Sequence, residues 1–221
     1  MTATINKEAL LKTLNLSRQN NLSHLSSTLP CANIISYILQ NDINSKIVLS
    51  NGHAALGMYA AYEVFGKTKS AEDLFLRHGV HPNRDLENHI LCSTGSLGLG
   101  ITIAAGLAVG NLDEEIHCVI SDGECAEGSI WETLYFLDKN NVQNITLYFQ
   151  LNGYGAYSGI SLPGLTEKLD AFKIKKKYCY TDTEFTWDAK EVDWHYKKLD
   201  DTSYACLLTL INENKLQTNI I

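Results

Sequence analysis

Short apolar runs alternate with segments of helical spacing along most of the chain. KIVL (46–49), His117–Ser121, ITLYFQL (145–151), Tyr178–Thr181 and YACLLTLI (204–211) have strand length and are rich in β-branched and aromatic residues. Between them lie helical patterns. Lys7–Leu16 carries leucines at 10, 11 and 14, and Pro30–Gln40 has proline in its expected first turn. Ala54–Phe65 is closed by Gly66, and Ala71–Arg77 follows Ser70 with Glu72 and Asp73 near its start. Leu97–Val109, Ser129–Asp138, Glu167–Ile174 and the charged Asp188–Leu199 complete the set. Strands alternating with helices imply βαβ units. The expected fold is therefore α/β, a doubly wound parallel sheet covered on both faces, in a single domain over residues 1–221. Such sheets bind ligands beyond the carboxyl ends of their strands, here just after Leu49, Ser121 and Leu151.

Two of those places carry chemistry. The strand ending at Ser121 runs into Asp122-Gly123-Glu124, and the next ends in Asn152-Gly153, with Asn152 30 residues after Asp122. Neighbouring parallel strands would set a carboxylate beside a carboxamide. Mg²⁺ or Ca²⁺ takes such oxygen ligands, with phosphate oxygens completing its shell. Gly123, without a Cβ, would let the backbone approach a diphosphate. Asp-Gly and Asn-Gly are also common turn pairs, so these residues alone leave both readings open.

Their surroundings resemble the thiamine-diphosphate-binding half of the transketolase family, from about Ser17 to Leu210. SDG followed by Asn152 is similar to the family's G-D-G…N fingerprint. LSNGHA (49–54), STGSLGLG (93–100), SDGECAEGSIWE (121–132) and HLSSTLPCANIISYIL (24–39) stand in the family's order. The resemblance implies Asp122, Asn152 and the main-chain carbonyl of Tyr154 as metal ligands. It implies His53, Gly95, Ser96, Leu97, Asp122, Gly123, Glu124 and Asn152 around the cofactor. His24 and His81 match active-site histidines beside the reacting carbon and the donor sugar. Glu127 matches a glutamate linking the two active sites of a dimer. His89, His117 and His195 match nothing in the family.

The same resemblance implies a thiamine-diphosphate-binding fold with Mg²⁺ or Ca²⁺, and transfer of a two-carbon ketol unit from a ketose to an aldehyde acceptor. The family's pyrimidine-binding domain has no counterpart in these residues. The expectation is thus a subunit active only with a partner that carries that domain, in an assembly with at least two of each chain, such as a heterotetramer. Another thiamine-diphosphate reaction, such as 2-oxo acid decarboxylation, and a non-catalytic paralogue binding cofactor or partner are the alternatives. Three departures stand out. Ser121 replaces the first glycine of G-D-G, the lysine- and glycine-rich segment with its histidine is not found, and Phe172–Trp194 aligns poorly.

Composition narrows the partners. Asp plus Glu at 25 against Lys plus Arg at 18 gives a net charge of −7, which argues against nucleic acid or an anionic membrane. Hydrophobic residues at 45 % and charged residues at 19 % suit a folded core. Six scattered cysteines without a C-x-x-C pair, and no export signal at the N-terminus, lead to the expectation of reduced thiols and a cytoplasmic protein. GSLGLG lacks the glycine order of a nicotinamide-binding turn.

Overall fold

The computed structural model describes residues 5–155, 158–181 and 198–221. Five strands, β1 (Lys46–Leu49), β2 (Ile116–Ser121), β3 (Ile145–Leu151), β4 (Lys176–Thr181) and β5 (Thr218–Ile220), form one sheet in the order β1-β2-β3-β4-β5. The first four are parallel and β5 pairs antiparallel with β4. Helices cover both faces, as the alternation predicts. Ile47, Leu49, Val119 and Tyr148 pack with α2 (Leu25–Asn41), α3 (Ala55–Val64) and α4 (Ala71–His78). On the other face Val48, Cys118, Ile120, Leu147 and Phe149 pack with α5 (Gly100–Gly110), α6 (Gly128–Lys139) and α7 (Leu162–Asp170). A third cluster joins α1 (Lys7–Gln19), α2 and α8 (Asp201–Asn212). Among the described residues no helix is long and apolar enough to cross a membrane.

The register puts the three predicted loops at one edge. Leu49 pairs with Val119, and Ser121 with Gln150, so the chain leaves β1, β2 and β3 side by side at their carboxyl ends.

Three elements differ from expectation. Tyr204–Ile211 is not a strand but the body of α8. Asp200 caps that helix by accepting from the Ser203 amide at 2.7 Å, and Ser203, Leu207 and Ile211 recur every fourth residue as its buried face. An apolar run of eight residues cannot by itself separate a buried strand from a buried helix; the last strand comes after it. Helix α7 starts at Leu162 rather than Glu167, because Ser161 caps the Gly164 amide and Pro163 sits in the first turn. Helix α2 begins at Leu25, which places Pro30 inside it. The expected helix Asp188–Leu199 lies, apart from its last two residues, outside the described residues, as does His195.

An interior proline leaves the carbonyl four residues earlier without its helical donor. That carbonyl belongs to Ser26. Gln150, a fully buried amide in β3, lies 3.5 Å from it and donates to the Ser27 carbonyl at 3.0 Å. The Gln150 carbonyl oxygen faces the Asn51 amide at 3.4 Å. One side chain therefore fixes α2 and the end of β1 to the central strand.

Candidate functional site

Beyond β2, Asp122 is 1 % exposed. One carboxylate oxygen accepts from the Gly123 amide at 3.0 Å, and the other from the amides of Asn152 and Gly153 at 2.9 and 2.7 Å. Asn152 in turn accepts from the Tyr154 amide at 2.9 Å, and Gly153 takes a positive φ of 83°. The turn after β3 is thus folded around the Asp122 carboxylate. Burial pushes the Asp122 acid up to about 6, against the pull of the three amides. A buried carboxylate held so high favours any neighbour that restores negative-charge solvation, above all a cation.

The strand ends enclose a cleft of about 30 Å³ lined by Ser27, His53, Leu97, Ser121, Asp122, Gly123, Asn152 and Tyr154. That volume matches about one water's share of liquid, the scale of a bound ion rather than a whole cofactor. A wider cleft of about 320 Å³ opens on another side of Asp122 and Gly123, between Trp131, the glycines 155, 159 and 164, and Lys168. A cavity of about 570 Å³ lies at the opposite edge of the sheet around Lys46, His117 and Lys177, away from these groups.

Six residues expected at the cofactor or metal, His53, Leu97, Asp122, Gly123, Asn152 and Tyr154, line the small cleft together. The others surround it. The His24 ring lies 5.2 Å from that of His53, with His24 itself in the left-handed region at φ 64°. Gly95 has φ +146°, and a Cβ there would stand 3.0 Å from the His81 ring, so the 93–98 loop passes closely under His81. Ser96 is exposed. Glu127 sits at the start of α6 against Gly98, where an added Cβ would come 2.8 Å from the Glu127 Cβ. Glu124 does not reach the cleft. It is fully buried behind it, accepting from Ser50, Gly98 and Ser121.

Several site residues are not evident from sequence patterns. Ser27, 1 % exposed, lines the cleft. It lies inside the HLSSTLPCANIISYIL segment, where nothing distinguishes it from Ser26. Gln150 does carry a signal, as the only polar side chain besides Thr146 and Tyr148 in a buried strand. Ser121, the departure from G-D-G, has no positive φ, so a side chain is accommodated without backbone strain.

The donors fit a hard cation better than a soft one. Among the described residues no three His, Cys, Asp or Glu side chains converge on a metal position. Asp122 and Asn152 do carry hard oxygen donors, a carboxylate and a carboxamide, and both residues line the small cleft beside Tyr154. Two buried polar atoms on the surrounding loops, Asn51 Oδ1 and Thr94 Oγ1, have no partner among the described residues, which suits a polar group being held there.

Comparison with known proteins assigns the family. Transketolase-like protein 2 of Mus musculus is 32 % identical over 164 residues, covering 69 % of this chain and 24 % of that protein. Transketolase of Rattus norvegicus is 32 % identical over 168 residues, covering 71 % and 25 %. The chain belongs to the transketolase family. It spans about a quarter of the length of these curated relatives. The 6-deoxy-6-sulfo-D-fructose transketolase subunit SqwG of Clostridium sp. (strain MSTE9) is 27 % identical over 160 residues, covering 68 % of this chain and 54 % of that subunit. The fold agrees: transketolase from Leishmania mexicana superposes with a TM-score of 0.59 at 17 % identity over 95 % of this chain and 34 % of that one. A transketolase variant from Pichia stipitis gives 0.55 at 18 % identity, covering 95 % and 33 %. No protein-family model matches the chain. Membership of the transketolase family implies thiamine diphosphate as the cofactor.

Proposed function

We propose that this chain is the diphosphate-binding subunit of a heteromeric transketolase, moving a two-carbon ketol unit from a ketose to an aldehyde acceptor. The observation that carries the reading is the convergence of Asp122, Gly123, Asn152, Tyr154 and His53 on one cleft at the carboxyl ends of β2 and β3. When bound, thiamine diphosphate supplies an electron sink for cleavage of a carbon–carbon bond next to a carbonyl.

The chain's own residues would hold it. Asp122, Asn152 and the Tyr154 carbonyl would ligate Mg²⁺ or Ca²⁺, whose charge would offset that of the diphosphate. Gly123 would offer its amide side to a phosphate without steric obstruction. His53 and Ser27 would donate to diphosphate oxygens, and Leu97 with Gly95 and Ser96 would pass beneath the pyrimidine ring. His24 and His81 would contact the donor sugar and move protons at its hydroxyls. Glu127 would join the proton-linked carboxylates between two sites.

The partner belongs to the same proposal. A relative named as a transketolase subunit, of which this chain spans 54 %, supports a divided enzyme. The pyrimidine-binding half would come from a second chain, two of each forming a heterotetramer in the cytoplasm. Calorimetric titration of thiamine diphosphate and Mg²⁺ into the wild-type and Asp122→Ala complexes tests the site, since the proposal requires Asp122 for tight binding.

A further inference from the structure

Glu124 takes no part in the cleft, yet its carboxylate ties together three of the segments around it. Its Oε1 accepts from the Ser50 hydroxyl at 2.7 Å and the Gly98 amide at 3.0 Å. Its Oε2 accepts from the Ser121 amide at 3.0 Å and stands 3.4 Å from the Ser121 hydroxyl. An ionised carboxylate offers about four acceptor positions, and here all four are taken by donors from the end of β1, the 93–98 loop and the end of β2. The side chain is fully buried.

These three attachments are unequal. The ends of β1 and β2 are also held by the sheet, through the Ser50 amide donating to Val119 at 2.8 Å and the Asp122 amide donating to Gln150 at 2.9 Å. The 93–98 loop has no strand. Besides the Gly98 amide, it is held by the Thr94 amide donating to the Pro82 carbonyl and the Leu99 amide donating back to Ser96. Gly98 has φ +77°, and an added Cβ would lie 2.4 Å from the Ser129 hydroxyl and 2.8 Å from the Glu127 Cβ. The loop is therefore gripped at Gly98 from two sides, by the Glu124 carboxylate and by the start of α6. Leu97, its neighbour, enters the cleft.

We propose that Glu124 is a positioning residue: its buried carboxylate sets the height of the 96–98 loop over the cleft, and so the seat of a ring that rests on Leu97. The geometric part stands on the hydrogen bonds alone; only the ring-seating part rests on the cofactor reading. Gln cannot replace it. A carboxamide turns two N–H groups toward either the Ser121 amide or the Ser50 and Gly98 donors, setting donor against donor.

The test is amide hydrogen exchange on the cofactor-free chain, resolved by residue, for wild type, Glu124→Gln and Ser50→Ala. Glu124→Gln should speed exchange at Gly98 by about tenfold or more, with Leu147 and Phe149 in β3 unchanged. Ser50→Ala, which removes one donor and leaves the carboxylate, should speed Gly98 by a smaller factor. Should Glu124→Gln not fold, Ser50→Ala decides. Equal acceleration at Gly98 and in β3 would show general destabilisation and overturn the proposal, as would unchanged exchange at Gly98. The ring-seating part has its own readout in the assembled complex with Mg²⁺: Glu124→Gln should lower affinity for thiamine diphosphate more than for inorganic diphosphate. Equal losses would overturn that part while leaving the exchange result standing. Failure of either ligand to bind wild type would instead strike the cofactor reading.

Discussion

Asp122 holds Asn152 through the main chain: the Asn152 amide donates to the Asp122 carboxylate at 2.9 Å, with the Gly153 amide on the same oxygen at 2.7 Å. Two residues 30 apart in the chain are thereby locked together just beyond the ends of adjacent strands, where both line one cleft. The carboxylate thus shapes the turn that carries Asn152.

From that pairing, removal of either side chain should have unequal effects on metal-dependent binding. Asp122→Ala deletes a charged ligand and releases the 152–153 turn, so Mg²⁺-dependent thiamine diphosphate binding should be lost. Asn152→Ala deletes a neutral ligand and leaves the turn attached, so affinity should fall by about one to two orders of magnitude. Calorimetry on the complex with its partner checks both. Equal losses would remove the structural distinction between them.

The metal-free chain should carry an acid-side stability signature. Asp122 titrates at about 6 when folded, above its ordinary 3.8, because burial outweighs its three amide partners. The folded state therefore holds the proton more tightly. Its contribution is full below about pH 3.8, shrinks through the interval and is gone above about pH 6, a swing of at most about 3 kcal/mol. Glu124 shifts in the same direction, also through burial. The stability difference between wild type and Asp122→Asn should thus fall as pH rises from about 4 to 7 in thermal melts. A difference that is flat or rises would contradict the burial argument. Bound Mg²⁺ should abolish the trend, since it favours the ionised carboxylate.

Ser27→Ala should weaken thiamine diphosphate binding by about three- to tenfold, the loss of one hydrogen bond, and leave the melting temperature unchanged. Ser27 lines the cleft, and α2 is fixed to β3 there through the Ser27 main-chain carbonyl rather than its side chain, so folding does not depend on the hydroxyl. Parallel titration and melting experiments separate the two effects.

Gln150→Leu should cost about 2–4 kcal/mol of folding stability, because it strands buried polar groups on α2 and at Asn51. Urea denaturation measures it. A loss below 1 kcal/mol, on the order of a surface change, would mean that the Ser27 carbonyl and Asn51 find other partners.

The sheet and the three loops at its edge were legible in the alternation of short apolar runs, since buried parallel strands need such runs on both faces. KIVL and ITLYFQL became β1 and β3 as read. YACLLTLI did not become a strand, because the Asp200 cap and the packing of Leu207 and Ile211 beside Leu10 and Leu14 decide its period, and packing partners are not written in a local run. The same limit hid the site's supports. Asp122 and Asn152 announce themselves beside glycines at strand ends. Ser27 gains its position only because α2 begins before Pro30 and Gln150 clasps it, a contact spanning 123 residues. Glu124 could be assigned to the site by its neighbours in sequence but not to its actual place behind the cleft.

The central claim is that this chain supplies the metal and diphosphate half of a divided ketol transferase. A coupled ketol-transfer assay with Mg²⁺ and thiamine diphosphate tests it, run on the purified chain alone and on the chain mixed with one that carries the pyrimidine-binding half. The account predicts silence from the isolated chain and transfer from the mixture, abolished by Asp122→Ala; transfer by the isolated chain, or a mixture indifferent to Asp122→Ala, would contradict it.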